Sequence, residues 1–165
     1  MHPVIPILQL LRELSRVDGR KKFQKTVHIL KELGAPFQER FEYSYYGMYS
    51  AQLKGELDAL EREGLLKERE TLTGANTTYV IESTPELGKL LGELGLETPP
   101  AWVEVAKQLN KLSSQVLEGI STILFLRKTE TDDAVVRQRL LVLKPHLASV
   151  ADNCLVEVGR LPKPA

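Results

Sequence analysis

Groups able to do chemistry are few in this chain of 165 residues and lie far apart along it. His2, His28, His146 and the single cysteine, Cys154, share no zinc-ligand spacing, so no metal site is expected. Ser50 and Ser114 sit in no nucleophile-elbow sequence, and the glycines form neither a phosphate loop nor a dinucleotide fingerprint. Glu61, Glu63, Glu68 and Glu70 alternate with Arg62, Lys67 and Arg69, which reads as a charged surface without the apolar setting that perturbs a carboxylate. No enzyme signature results: neither a catalytic residue nor a cofactor is expected.

Two segments carry binding chemistry instead. GRKKFQK, residues 19–25, places Arg20, Lys21, Lys22 and Lys25 near a helix N-terminus, where orphan amides also favour anions. It reads either as the solvated face of an amphipathic helix or as a phosphate contact. FEYSYYGMYS, residues 41–50, holds four of the five tyrosines. Strand alternation puts Tyr43 and Tyr45 on Phe41's face, directed at the core, while Tyr46 and Tyr49 flank Gly47 at a corner where packing and recognition are both open.

The elements that must position these residues follow from periodicity. Ile7, Leu8, Leu11 and Leu14 predict a first helix, with Pro6 in its first turn. Phe23, Val27 and Leu30 predict a second from Arg20 to a stop at Gly34, with Lys21, Lys25, His28 and Glu32 on its wet side. A short strand over 41–46 is ended by Gly47, and Ser50 caps a third helix through Leu53, Leu57 and Leu60 to Gly64. Strands over 65–70 and 77–82 join across a loop at 71–76, giving the helix-then-hairpin order of a winged helix with that loop as the wing.

From Thr84 and Pro85 onward the pattern is helical. A short helix stops at Gly95, and Trp102, Val105, Leu109, Leu112, Val116 and Ile123 predict one long helix from about Pro100 to Arg127. Its apolar face is wide enough to pack within the chain and against a second copy, which leaves a homodimer and purely intrachain burial both open. Thr131 caps a further helix, and Lys144 and Pro145 divide it from the last. The expected fold class is mainly α with a small β-hairpin: a winged-helix-like half, residues 1–83, packed on a helical half, residues 84–165.

Charge excludes a global attraction. Lys plus Arg and Asp plus Glu number 22 each, with twelve of each sign up to Ser83 and ten of each after it. One cysteine leaves no internal disulfide, and the apolar runs fall short of the roughly 20 residues of a membrane helix, so a cytoplasmic protein with no membrane partner is expected. The third helix, placed where a winged helix enters the major groove, carries Glu56, Asp58, Glu61 and Glu63 against Lys54 and Arg62, which disfavours that insertion.

GRKKFQKTVHIL, the spacing to FEYSYYGMYS, and the later SSQVLEGISTILFLRK and LKPHL resemble the YwgA-like family of uncharacterised bacterial proteins. Met48 stands where that family has proline, and His28 where a tyrosine is common. A more distant likeness is to the SocA-like Panacea antitoxin domain, which shares a lysine-bearing second helix and a glycine-containing corner. The resemblance implies the fold, argues against an enzyme, and through the antitoxin likeness favours protein binding. Two functions are therefore expected to compete. One is a non-catalytic regulatory or adaptor module that meets another protein through Lys22, Lys25, Tyr46 and Tyr49. The other is a regulator that holds double-stranded DNA through Arg20, Lys21, Lys67, Arg69 and Asn76 on its phosphates.

Overall fold

The computed structural model describes residues 2–163, apart from residue 46 and the side chain of Thr73. In chain order it contains α1 (Ile5–Leu14), β1 (Arg16–Val17), α2 (Arg20–Glu32), β2 (Glu42–Ser44), β3 (Gly47–Tyr49), α3 (Ala51–Arg62), β4 (Leu66–Thr73), β5 (Asn76–Ser83), α4 (Pro85–Glu93), α5 (Val103–Asn110), α6 (Ser114–Leu126), α7 (Asp133–Leu143), a 3-10 helix (Pro145–Val150) and α8 (Ala151–Arg160). The antiparallel strands run β1-β5-β4, with Val17 opposite Ile81 and Leu66 opposite Ser83. Three helices with a strand between the first two and a hairpin after the third make the winged-helix half that the sequence predicts. The helical half packs on it.

Local chemistry accounts for the element ends. The Ser50 hydroxyl accepts the Leu53 N–H at 3.1 Å and starts α3, as the sequence predicts. The wing is more regular than expected: the ladder continues to Thr73 opposite Asn76, leaving only Gly74 and Ala75 in the turn. Thr71 and Thr78 explain the extension, because β-branched residues suit a pleated pair and their hydroxyls meet across it at 2.7 Å.

Two expectations are corrected in the second half. The long helix is two helices, broken at Lys111 and Leu112, because the Ser113 hydroxyl caps a new helix by accepting the Val116 N–H at 3.2 Å. Asp132, one residue later than expected, caps α7 by accepting the Ala134 N–H. In α6, Val116, Leu117, Ile120 and Ile123 are all buried within the chain, where α2, α7 and α8 pack on α6. One continuous core runs through both halves, from Leu10, Phe23, Leu53 and Ile81 to Leu109, Ile120, Leu140 and Cys154.

Within that core α6 lies close against α8. A Cβ built at Gly119 would lie 2.3 Å from the Cys154 sulfur, so only glycine lets the helices meet. Gly119→Ala is expected to lower unfolding free energy by about 1–3 kcal/mol, and Cys154→Ala in the same chain to restore part of it, as read by chemical denaturation.

A second consequence concerns two carboxyl groups. Glu39 is fully buried, and its side chain meets that of Glu56 on α3. Burial, and then the neighbouring Glu39, pushes Glu56 up to about 7, and burial pushes Glu39 up as well. The favourable state is one shared proton. A carboxyl raised on folding contributes its full stability below its ordinary pKa and loses it as pH rises through the folded value, so stability should fall between about pH 4.5 and 7. Glu56→Gln is expected to leave Tm little changed at low pH and to stabilise the protein by about 1–2 kcal/mol above neutrality, a comparison that thermal melts across pH will make.

Candidate functional site

α2 is enclosed on nearly every side, and its polar residues are fixed by bonds inside the chain. Gln24 holds the backbone of Ser50 at both ends, donating to its carbonyl at 2.8 Å and accepting its N–H at 2.9 Å. This seats the start of α3 on α2. One residue further on, the Lys25 ammonium donates to the Met48 carbonyl at 2.8 Å.

The corner is a hairpin and not one strand: Gly47 begins β3, which runs back along β2 with Ser44 opposite Gly47 and Glu42 opposite Tyr49. Gly47 has φ +79°, and a Cβ there would lie 3.2 Å from the Lys25 ammonium and 3.4 Å from that of Lys144. Both lysine heads therefore rest against this glycine. Tyr43 stacks on Phe125 of α6, with ring centroids 4.8 Å apart, and ties the hairpin to the second half.

Under the hairpin lies a cavity of about 650 Å³ walled by both halves. Arg20, Lys21 and Lys25 come from α2, Tyr45 and Tyr49 from the corner, Lys54 and Leu57 from α3, Glu118 from α6, and Lys144 and His146 from the far end. Two of the cations are balanced at the rim. Arg20 bonds Asp58 at 2.7 Å and Glu68 at 2.5 Å, and Lys54 bonds Asp58 at 3.0 Å.

Lys21, Lys25 and Lys144 remain around one carboxylate, Glu118, which is 3% exposed. It receives Lys21 at 2.5 Å, His146 Nε2 at 3.0 Å and Lys144 at 3.5 Å. Burial alone would push the Glu118 carboxyl up, and these donors reverse that and hold it below the usual carboxylate range. Lys25, 2% exposed, is pushed down to about 8, first by burial; Glu118 pulls it back up, while Lys144 and Lys21 press it further down. The described residues thus gather the ammonium groups of Lys21, Lys25 and Lys144 around the Glu118 carboxylate.

Several sequence-predicted residues lie elsewhere than expected. Lys21, Lys25, His28 and Glu32 do not form a wet stripe, because α6 covers that face: His28 is fully buried and its Nδ1 meets the Ser121 hydroxyl at 2.6 Å. Lys22, expected at an exposed corner, is 8% exposed and donates to the Asn110 carbonyl at 2.6 Å, joining the halves. Lys25 is likewise enclosed. Tyr45 does not follow Phe41 and Tyr43 inward but stands 92% exposed in the hairpin turn, since that turn ends the alternation. Tyr49 is half-buried in the cavity wall, and Tyr46 lies outside the described residues.

The expected phosphate-contacting residues do not form one surface. Glu68 reaches Arg20 on one face of β4, whereas Lys67 and Arg69, its neighbours, project from the other. Arg69 bonds Glu82 at 2.7 Å, and Lys67 and Asn76 are exposed on the wing. Sequence reasoning missed Glu118, Lys144 and His146. The available signal was Glu118 itself, one carboxylate inside the apolar run VLEGISTILFL, which burial obliges to find cations.

Among the described residues no group of three or more His, Cys, Asp and Glu is placed to hold a metal ion, and no helix is long and apolar enough to cross a membrane. No protein-family model matches the chain, and no solved structure does. The chain is similar to the uncharacterized protein YwgA of Bacillus subtilis (strain 168), with 28% identity over 127 residues that cover 77% of this chain and 76% of that protein.

Proposed function

We propose that this chain is a non-catalytic regulatory module of winged-helix type that works by binding a partner protein, and that the partner offers an acidic segment to the junction cavity. The observation that carries this reading is the cluster of Lys21, Lys25, Lys144 and His146 around Glu118 in the cavity wall, set beside the exposed ring of Tyr45. An aromatic anchor next to a pocket of opposite charge is the usual composition of a protein-binding hot spot. The non-catalytic part rests on how the polar groups are spent: Glu118 is held by three donors, and Lys25 is bonded to a backbone carbonyl. An antitoxin-like role would be one form of this activity.

A DNA-binding regulator is the second reading. Lys67 and Asn76, exposed on the wing, favour it. Against it stand the acidic surface of α3 and the engagement of Lys54 and Arg20 with Asp58 and Glu68, which remove cations from the side that would face phosphates. Fluorescence anisotropy separates the two. A labelled Asp/Glu-rich peptide is expected to bind at low salt and to lose roughly fivefold or more in affinity with Tyr45→Ala, while a duplex of mixed sequence does not bind. Duplex binding that weakens steeply with salt, with a smaller slope in Lys67→Ala, would reverse the ranking.

A further inference from the structure

Residues 35–41 cross from α2 to β2 without forming helix or strand, and a handful of contacts hold them down. The buried Phe37 ring packs edge-on against Trp102 with centroids 5.0 Å apart, and the Lys31 ammonium donates to the Glu39 carbonyl at 2.6 Å. Towards α3 the fastening is weaker in kind. The Arg40 N–H reaches the Gln52 side chain at a long 3.4 Å, and one turn further along α3 the fully buried Glu39 carboxyl meets that of Glu56. Apart from the amide of Glu39 itself, no donor among the described residues reaches either Glu39 oxygen or Oε1 of Glu56.

Two carboxyl groups in buried contact bind each other with one proton between them and repel when that proton is gone. The contact between the segment and α3 therefore changes sign with protonation. Among the described residues, the charged group that faces the pair from α2 is Lys31, which pulls Glu39 only part of the way back from the effect of burial; from α3 it is Glu56 itself. Phe37 and Trp102 bring no charge. No cation is thus placed to let both carboxyl groups ionise in contact.

We propose that Glu39 and Glu56 are a proton-operated latch: one shared proton fastens residues 35–41 to α3, and its loss frees that segment to lift and bare the Phe37 ring and the Trp102 face against which it packs. The opening is local, because the segment belongs to no helix or ladder and lifting it breaks few of the bonds that hold either half. The hairpin that follows keeps its own anchors at Lys25 and Phe125. A carboxyl raised on folding stabilises the closed form fully below its ordinary range and loses that contribution as pH rises through the folded value. Lifting should therefore become about tenfold more frequent per pH unit between about pH 4.5 and 7 and level off above. The latch stands whether or not the junction cavity is the recognition site.

Trp102, the single tryptophan of the chain, is a built-in reporter of Phe37. Acrylamide quenching of its fluorescence in the full chain is expected to rise at least about twofold between about pH 5 and 7.5, while the far-ultraviolet circular dichroism stays unchanged. In Glu56→Gln an amide N–H takes the place of the shared proton at every pH, so quenching stays at its low-pH level throughout, and Glu39→Gln should behave alike. Should either variant fail to fold, carboxyl-carbon NMR of the wild-type chain labelled at glutamate carries the test: one glutamate signal is expected to titrate near pH 7. Quenching that ignores pH, a transition that persists unchanged in Glu56→Gln, or no glutamate titrating near neutrality overturns the latch. Loss of helical signal over the same pH range overturns it too, since the pair would then govern the whole fold and not one segment.

Discussion

Enclosing α2 on nearly every side compels its buried polar side chains to find partners inside the chain. Lys22, Gln24, Lys25, Thr26 and His28 are all buried, and a buried polar group without a partner costs on the order of 1–3 kcal/mol, more if charged. Their partners lie in every part of the fold. Lys22 reaches the end of α5, Gln24 the start of α3, Lys25 the β3 strand and His28 the middle of α6. The polar side of α2 thus specifies how the two halves meet, while its apolar side, through Phe23, Val27 and Leu30, supplies the core. Hydrophobic burial brings the halves together, and the hydrogen bonds select one orientation.

Charged groups in such a place demand a further balance. An ammonium moved out of water costs several kcal/mol even after relaxation, so three lysines around one carboxylate persist only where other terms stabilise them. Glu118 is the main such term. It lies on α6, one residue before the glycine that lets α8 approach. A chain with equal numbers of acidic and basic residues has no long-range pull on anions.

Much of this was legible in the residues. The helix-then-hairpin order, the Ser50 cap and the stops at Gly34 and Gly64 depend on local chemistry, and they stand where periodicity puts them. What failed depends on tertiary placement. The stripe of Lys21, Lys25, His28 and Glu32 has the spacing of a solvated face, and nothing in α2 itself announces that α6 will cover it. Ser113 shows a different failure: a cap embedded in an unbroken three-and-four apolar seam was outweighed by the seam, although its hydroxyl ends one helix axis and begins another. Tyr45 was lost to a miscounted alternation, because Gly47 opens a return strand where a simple strand end was expected. The cavity could not be assembled from sequence at all, since its lysines and its carboxylate are separated by most of the chain.

Gly47 resolves why the tyrosines gather where they do. The hairpin must lie close over two ammonium groups, which only a residue without a Cβ and with a positive φ allows, and the aromatic residues on either side hold it there. Tyr43 anchors one strand on Phe125, Tyr49 ends the other in the cavity wall, and Tyr45 is carried outward by the turn. The hairpin is consequently both roof and handle. Lys25 binds its backbone at Met48, and that bond seats the hairpin on α2. An interior charge cluster and an exposed tyrosine are thereby joined through one carbonyl.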